Sequence, residues 1–62
     1  MTGKQFKQHR RALRLTQKQL ATALGLTPNS VARLERGERK IGGPVAKLLT
    51  LLIQLHNQHR RT

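Results

Sequence analysis

Apolar residues recur at helical spacing along this chain, and nowhere do they alternate with polar ones over the length of a strand. Phe6, Arg10 and Leu13 fall at i, i+4 and i+7, so they share one face of a first helix expected over 3–14. An arginine inside an apolar stripe is an anomaly that needs a partner. Thr16 is a helix-starting residue, and Gln19 three positions on completes a capping box. Leu20, Ala21 and Leu24 form the inward stripe of the second helix, and Gly25 stands where its chain reversal is due. Thr27-Pro28 starts a third helix at once, with Val31 and Leu34 facing inward and Gly37 ending it. Gly42-Gly43 breaks the chain again, and Pro44 begins a fourth helix expected over 44–57. The polar, cationic stretch 58–62 reads as a fraying tail. The pattern predicts a small all-α domain of four helices spanning 1–62.

Size and charge narrow the picture. A chain of 62 residues buries only about 60% of the surface it exposes when unfolded, so its core must be small. It has no Cys, which rules out disulfides and thiolate metal sites. No apolar run reaches the roughly 20 residues that span a bilayer. The expected location is therefore the cytoplasm. Thirteen Lys and Arg against two carboxylates give a formal charge of +11, which calls for a polyanionic partner: nucleic acid or an anionic membrane surface. Readers of single strands stack bases on aromatic rings, but Phe6 is the only aromatic here and occupies a core position. Double-stranded DNA fits better. The cations also do not line up opposite one continuous apolar face, which argues against a membrane-active peptide.

The segment QKQLATALGLTPNSVARLER, 17–36, carries two short helices joined by a Gly-containing turn, the helix-turn-helix arrangement. Ala21 is small where the third helix must cross closely, and Leu20, Leu24, Leu26, Val31 and Leu34 fill the angle between the two helices. With its TQKQLA opening and the downstream LERGER, this segment resembles the Cro/repressor (XRE-type) helix-turn-helix family, the lambda-repressor-like DNA-binding domains. The resemblance covers roughly residues 4 to 55. It implies an all-α fold whose third helix enters the major groove. Usual members have a fifth helix; this chain is expected to put one longer fourth helix in its place.

Asn29, Arg33 and Arg36 lie at i, i+4 and i+7 on the side of helix 3 that the core does not need, with the small Ala32 beside them. Arg reads guanine through O6 and N7, Asn can pair with adenine, and Ala can meet a thymine methyl. These four are the candidate base contacts, against the plainer reading of a solvated polar face. The family resemblance sets Gln17, at the opening of helix 2, against the DNA backbone, where its amide and the free N–H groups of the helix start would clamp a phosphate. Lys18 and Ser30 join it as phosphate contacts, as do the loop cations Arg39 and Lys40, although solvated charge explains the latter two equally well. Pro28 departs from the usual polar residue there and removes one base contact. Lys4, Lys7, Arg60 and Arg61 contribute long-range attraction.

Both acidic residues sit in the Arg-dense stretch VARLERGERK, 31–40. In family members with the same pair, the arginine of helix 1 and the glutamate of helix 3 form a partly buried ion pair. The resemblance therefore assigns Arg10 and Glu35 to a structural pair, which explains the arginine in the apolar stripe. The alternative is a surface glutamate screened by Arg36 and Arg39. Glu38 receives no role. His56 and His59 stand at i, i+3 but have no carboxylate or thiolate neighbours, so no metal, cofactor or catalytic set is expected; the chain has no Asp. On helix 4, Leu48, Leu52 and Leu55 make one stripe and Leu49 and Ile53 another, with Leu51 off both. This surplus apolar surface has two readings: it covers the core that a fifth helix usually caps, or it forms a twofold interface. The second is preferred, with Leu49 and Ile53 as the expected homodimer surface. The expectation is a sequence-specific transcriptional regulator of bacterial or phage repressor type, binding a pseudo-palindromic operator as a dimer. The alternative is an antitoxin-like module whose helix 4 binds a protein partner.

Overall fold

A threonine side chain opens each of the first three helices of the structure, a computed structural model that describes residues 1–60 and the side chains of residues 1–58. Thr2 precedes α1 (Gly3–Ala12), Thr16 precedes α2 (Gln17–Leu24) and Thr27 precedes α3 (Pro28–Glu35). In each case the extended threonine accepts a hydrogen bond from the third helical N–H, satisfying a donor that the helix itself leaves open. Thr2 with Gln5 and Thr16 with Gln19 form complete capping boxes. The helix α4 (Gly43–Arg60) follows Gly42, whose carbonyl accepts from Ala46 N–H just as the threonine carbonyls accept from Phe6, Leu20 and Val31 at the other three starts. There is no strand among the described residues.

The first three helices also end alike. After each, one residue turns left-handed and two reversed hydrogen bonds tie off the last carbonyls, the Schellman arrangement. For α2 the turning residue is Gly25 (φ 72°), with Gly25 N–H donating to Thr22 and Leu26 N–H to Ala21. For α3 it is Gly37 (φ 78°), with Gly37 N–H donating to Leu34 and Glu38 N–H to Arg33. For α1 it is Arg14 (φ 58°), with Arg14 N–H donating to Arg11 and Leu15 N–H to Arg10. That reversal stops α1 at Ala12, two residues short of the expected end. The fourth helix errs the other way. It runs three residues past the expected end because no Gly or Pro interrupts Gln58-His59-Arg60. Arg61 and Thr62, the end of the expected tail, lie outside the described residues.

The core is small: Phe6 and Leu13 from α1 and its end, Leu20, Ala21 and Leu24 from α2, Val31 and Leu34 from α3, and Leu49 from α4. Phe6, Leu20, Val31 and Leu49 are fully enclosed, each worth about 1.5–3 kcal/mol relative to exposure. The helices α2 and α3 pack on each other most extensively, α1 lies across α3, and α4 covers α2. Leu49 as part of an outer surface is therefore wrong: it is 0% exposed. Ile53, on the same stripe, packs against the core as well. The stripe left outside is Leu48, Leu51 and Leu55, at 43%, 46% and 56% exposure. A helix that is apolar over more than half its circumference does not declare which of its stripes faces in; its neighbours decide.

At its first residue α1 touches the far end of α3. A side chain at Gly3 would bring its Cβ within 2.5 Å of the Leu34 carbonyl oxygen and 2.7 Å of that of Glu35. The N-terminal end of one helix thus abuts the C-terminal end of the other, an attractive alignment of their dipoles. Gly3→Ala gains helix propensity but cannot be seated without moving α1. It is expected to destabilise the domain by about 1–3 kcal/mol in urea titrations, and an unchanged midpoint would refute this contact.

Candidate nucleic-acid interface

The long face of α3 that turns away from Val31 and Leu34 carries Asn29 and Arg33, both exposed, with the half-buried Ala32 beside them. Arg36 follows as the C-cap, still near helical dihedrals (φ −81°, ψ −5°), and so continues the same ridge. These four residues share one surface. Asn29 and Arg33 make no side-chain hydrogen bond or ion pair among the described residues. Arg36 does: its Nε is paired with the Glu38 carboxylate across the turn, both side chains more than half exposed. Glu38, which the sequence left without a role, therefore holds one of the four base-reading candidates. An exposed pair of this kind is worth less than about 1 kcal/mol, so a phosphate or base edge can replace it.

Beside this ridge, Ser30, Arg39 and Lys40 line a pocket of about 180 Å³ with Leu26, Leu34 and Val45. Three of the five proposed phosphate contacts thus gather at the seam between α3 and the loop before α4. The Ser30 oxygen accepts a hydrogen bond from the Thr27 hydroxyl (3.0 Å), which leaves its own proton free to donate outward. Lys18 is exposed on the first turn of α2.

Gln17 is half committed. Its side-chain amide donates one N–H to Glu35 Oε1 at 3.2 Å, and the second N–H of the same NH2 group has no acceptor among the described residues. The start of α2 leaves backbone open as well: Gln19 N–H is taken by Thr16 Oγ1 and Leu20 N–H by the Thr16 carbonyl, while those of Gln17 and Lys18 have no acceptor within the helix.

The amide is drawn inward by an ion pair. Arg10 Nε donates to Glu35 Oε2 at 2.6 Å and Nη2 to Oε1 at 3.3 Å, a two-pronged contact with side chains only 13% and 4% exposed. A third arginine nitrogen, Nη1, donates to the Leu15 carbonyl at 2.9 Å. Glu35 therefore accepts three bonds from α1 and α2, and Arg10 closes the turn that joins those helices. No buried side-chain nitrogen or oxygen among the described residues lacks a partner. The bonds to Gln17 and to the Leu15 carbonyl were not visible in the sequence. The signal available was chemical: one glutamate cannot exhaust a buried guanidinium's five donors.

No group of three metal-ligating side chains occurs among the described residues, and no helix there is long and apolar enough to cross a membrane. The side chain of His59 lies outside the described residues.

A family model described as helix-turn-helix matches residues 6–56. Neither the curated proteins nor the solved structures gave a match.

Removing one partner of the Arg10–Glu35 pair strands the other's charge in the interior. Glu35→Ala is expected to cost about 3–5 kcal/mol, enough to leave much of so small a domain unfolded at 25 °C. Arg10→Met with Glu35→Leu removes both charges and should recover most of that loss by thermal or urea unfolding; a double variant no better than Glu35→Ala would contradict the ion-pair account.

Proposed function

Since the chain belongs to the Cro/repressor (XRE) type of the helix-turn-helix family, whose business is DNA binding and transcriptional regulation, we propose that it is a repressor-type regulator that reads a pseudo-palindromic operator as a dimer. The observation that carries this reading is the uncommitted ridge of α3: Asn29, Ala32 and Arg33 stand outside the core, while no buried side-chain nitrogen or oxygen among the described residues lacks a partner. In it α3 lies in the major groove and α2 crosses the backbone. Arg33 reads guanine, Asn29 adenine, and Arg36 is released from Glu38 on docking. Gln17, Lys18, Ser30, Arg39 and Lys40 hold phosphates, the backbone N–H groups of Gln17 and Lys18 adding to the free N–H of the Gln17 amide. Such a protein works in the cytoplasm, on the nucleoid.

The dimer rests on α4. Leu48, Leu51 and Leu55 form an exposed apolar stripe, and residues 48–58 contain no Lys, Arg, Asp or Glu in a chain of net charge +11. Two copies of so cationic a molecule can approach each other most cheaply where the charge is absent. That favours a second copy of this chain over an unlike acidic protein as the occupant of the stripe. Two copies joined there would present their α3 helices about 34 Å apart, one turn of duplex.

Selection from a random duplex pool tests the reading directly. A single enriched motif with twofold symmetry is expected, and Arg33→Ala should erase the preference at one position per half-site. Binding should weaken with salt at a log–log slope near −5, as neutralising about six phosphates requires. A flat slope, or base preferences unchanged by Arg33→Ala, would be incompatible with it.

Sedimentation addresses the dimer. The wild type should sediment as two chains at micromolar concentration, and Leu51→Arg, a change on an exposed position, as one folded chain. A monomeric wild type on its selected site would refute α4 as the interface.

A further inference from the structure

The three Schellman reversals provide an internal comparison. They share one hydrogen-bond pattern and one left-handed residue each, yet two of those residues are Gly25 and Gly37 and the third is Arg14. A Cβ in the left-handed region clashes with the following carbonyl oxygen, so at this position glycine is the cheaper choice and arginine is held against a conformational cost. Nothing inside the molecule repays it. The Arg14 side chain is exposed and makes no hydrogen bond or ion pair among the described residues. The strain is nevertheless fixed in place, because Arg14 N–H donates to the Arg11 carbonyl at 2.9 Å, Leu15 N–H donates to Arg10, and Arg10 Nη1 grips the Leu15 carbonyl.

A charge kept at a cost and pinned by its neighbours points to a partner outside the chain. The turn that carries it leads directly into Thr16, Gln17 and Lys18, the segment that opens α2. We propose that Arg14 is a phosphate contact of the bound DNA, gripping the backbone just ahead of α2 and adding to the row formed by Lys18 and the first N–H groups of that helix. A bare guanidinium on a rigid turn loses little on meeting a phosphate, since it gives up no internal partner and its backbone is already set. The inference rests on the DNA-binding reading above and adds to it a residue whose stability and binding effects have opposite signs.

That opposition is the test. Melting temperature, affinity for the selected duplex and the salt slope are measured for the wild type, Arg14→Gly, Arg14→Ala and Arg14→Lys, with Lys47→Ala on α4 as the control for loss of a remote charge. Arg14→Gly is expected to melt higher than the wild type yet bind roughly eightfold more weakly at 0.1 M salt, with a slope shallower by about 0.9. Arg14→Ala should lose the same affinity without the gain in melting temperature, because the strain stays while the charge goes. Arg14→Lys should keep the wild-type slope. Lys47→Ala should leave the slope unchanged. An Arg14→Gly chain that binds like the wild type, or a Lys47→Ala chain that loses as much, overturns the role of Arg14 while leaving DNA binding intact. A wild type that retains no duplex overturns the DNA-binding reading itself, and the Arg14 proposal falls with it.

Discussion

The glutamate at position 35 is where three helices meet. It takes two bonds from the Arg10 guanidinium on α1 and one from the Gln17 amide on α2, while its own backbone belongs to the last turn of α3. The apolar core alone ties α1 down through few side chains, chiefly Phe6 and Leu13. The buried ion pair is therefore the second anchor that fixes the angle of α1 over α3. Desolvating two charges yields little net stability when both are present, and the arrangement acts more as a specification than as glue: few other packings of α1 bring the guanidinium to its carboxylate. Because Arg10 also closes the α1–α2 turn, the pair sets the position of α2 relative to α3, on which any helix-turn-helix depends.

Around that junction the molecule divides its charge. The helices α1 to α3 and the loop to Lys40 carry ten of the thirteen cations and both carboxylates, whereas most of α4 carries none. One carboxylate is locked inside and the other holds Arg36, so nothing acidic stands free on the α3 ridge among the described residues. The result is a face that attracts polyanions and a face on which like-charged molecules can tolerate each other. Both properties follow from where a few ionisable side chains sit along a 62-residue chain.

Much of this was legible in advance because caps are chemically explicit. Thr16 with Gln19, Thr27 with Pro28, and the glycines at 25 and 37 announce where α2 and α3 begin and end. The end of α1 was missed because its turning residue is an arginine, which carries no turn signal. On α4 the sequence offered two apolar stripes and no means of choosing; burial of Leu49 against the other helices made the choice. Gln17 shows a further limit. A polar side chain at a helix start can face solvent or its own interior, and only the position of Glu35, eighteen residues away, turned it inward.

The close approach of Gly3 to the last carbonyls of α3 has a practical corollary for handling this protein. Any peptide joined ahead of Thr2 emerges beside the C-terminal end of α3, next to the residues that precede Arg36. An affinity handle rich in histidine or acidic residues at that end would place its charges against the last turn of α3 and Arg36, whereas a handle after α4 leaves from the other end of the chain.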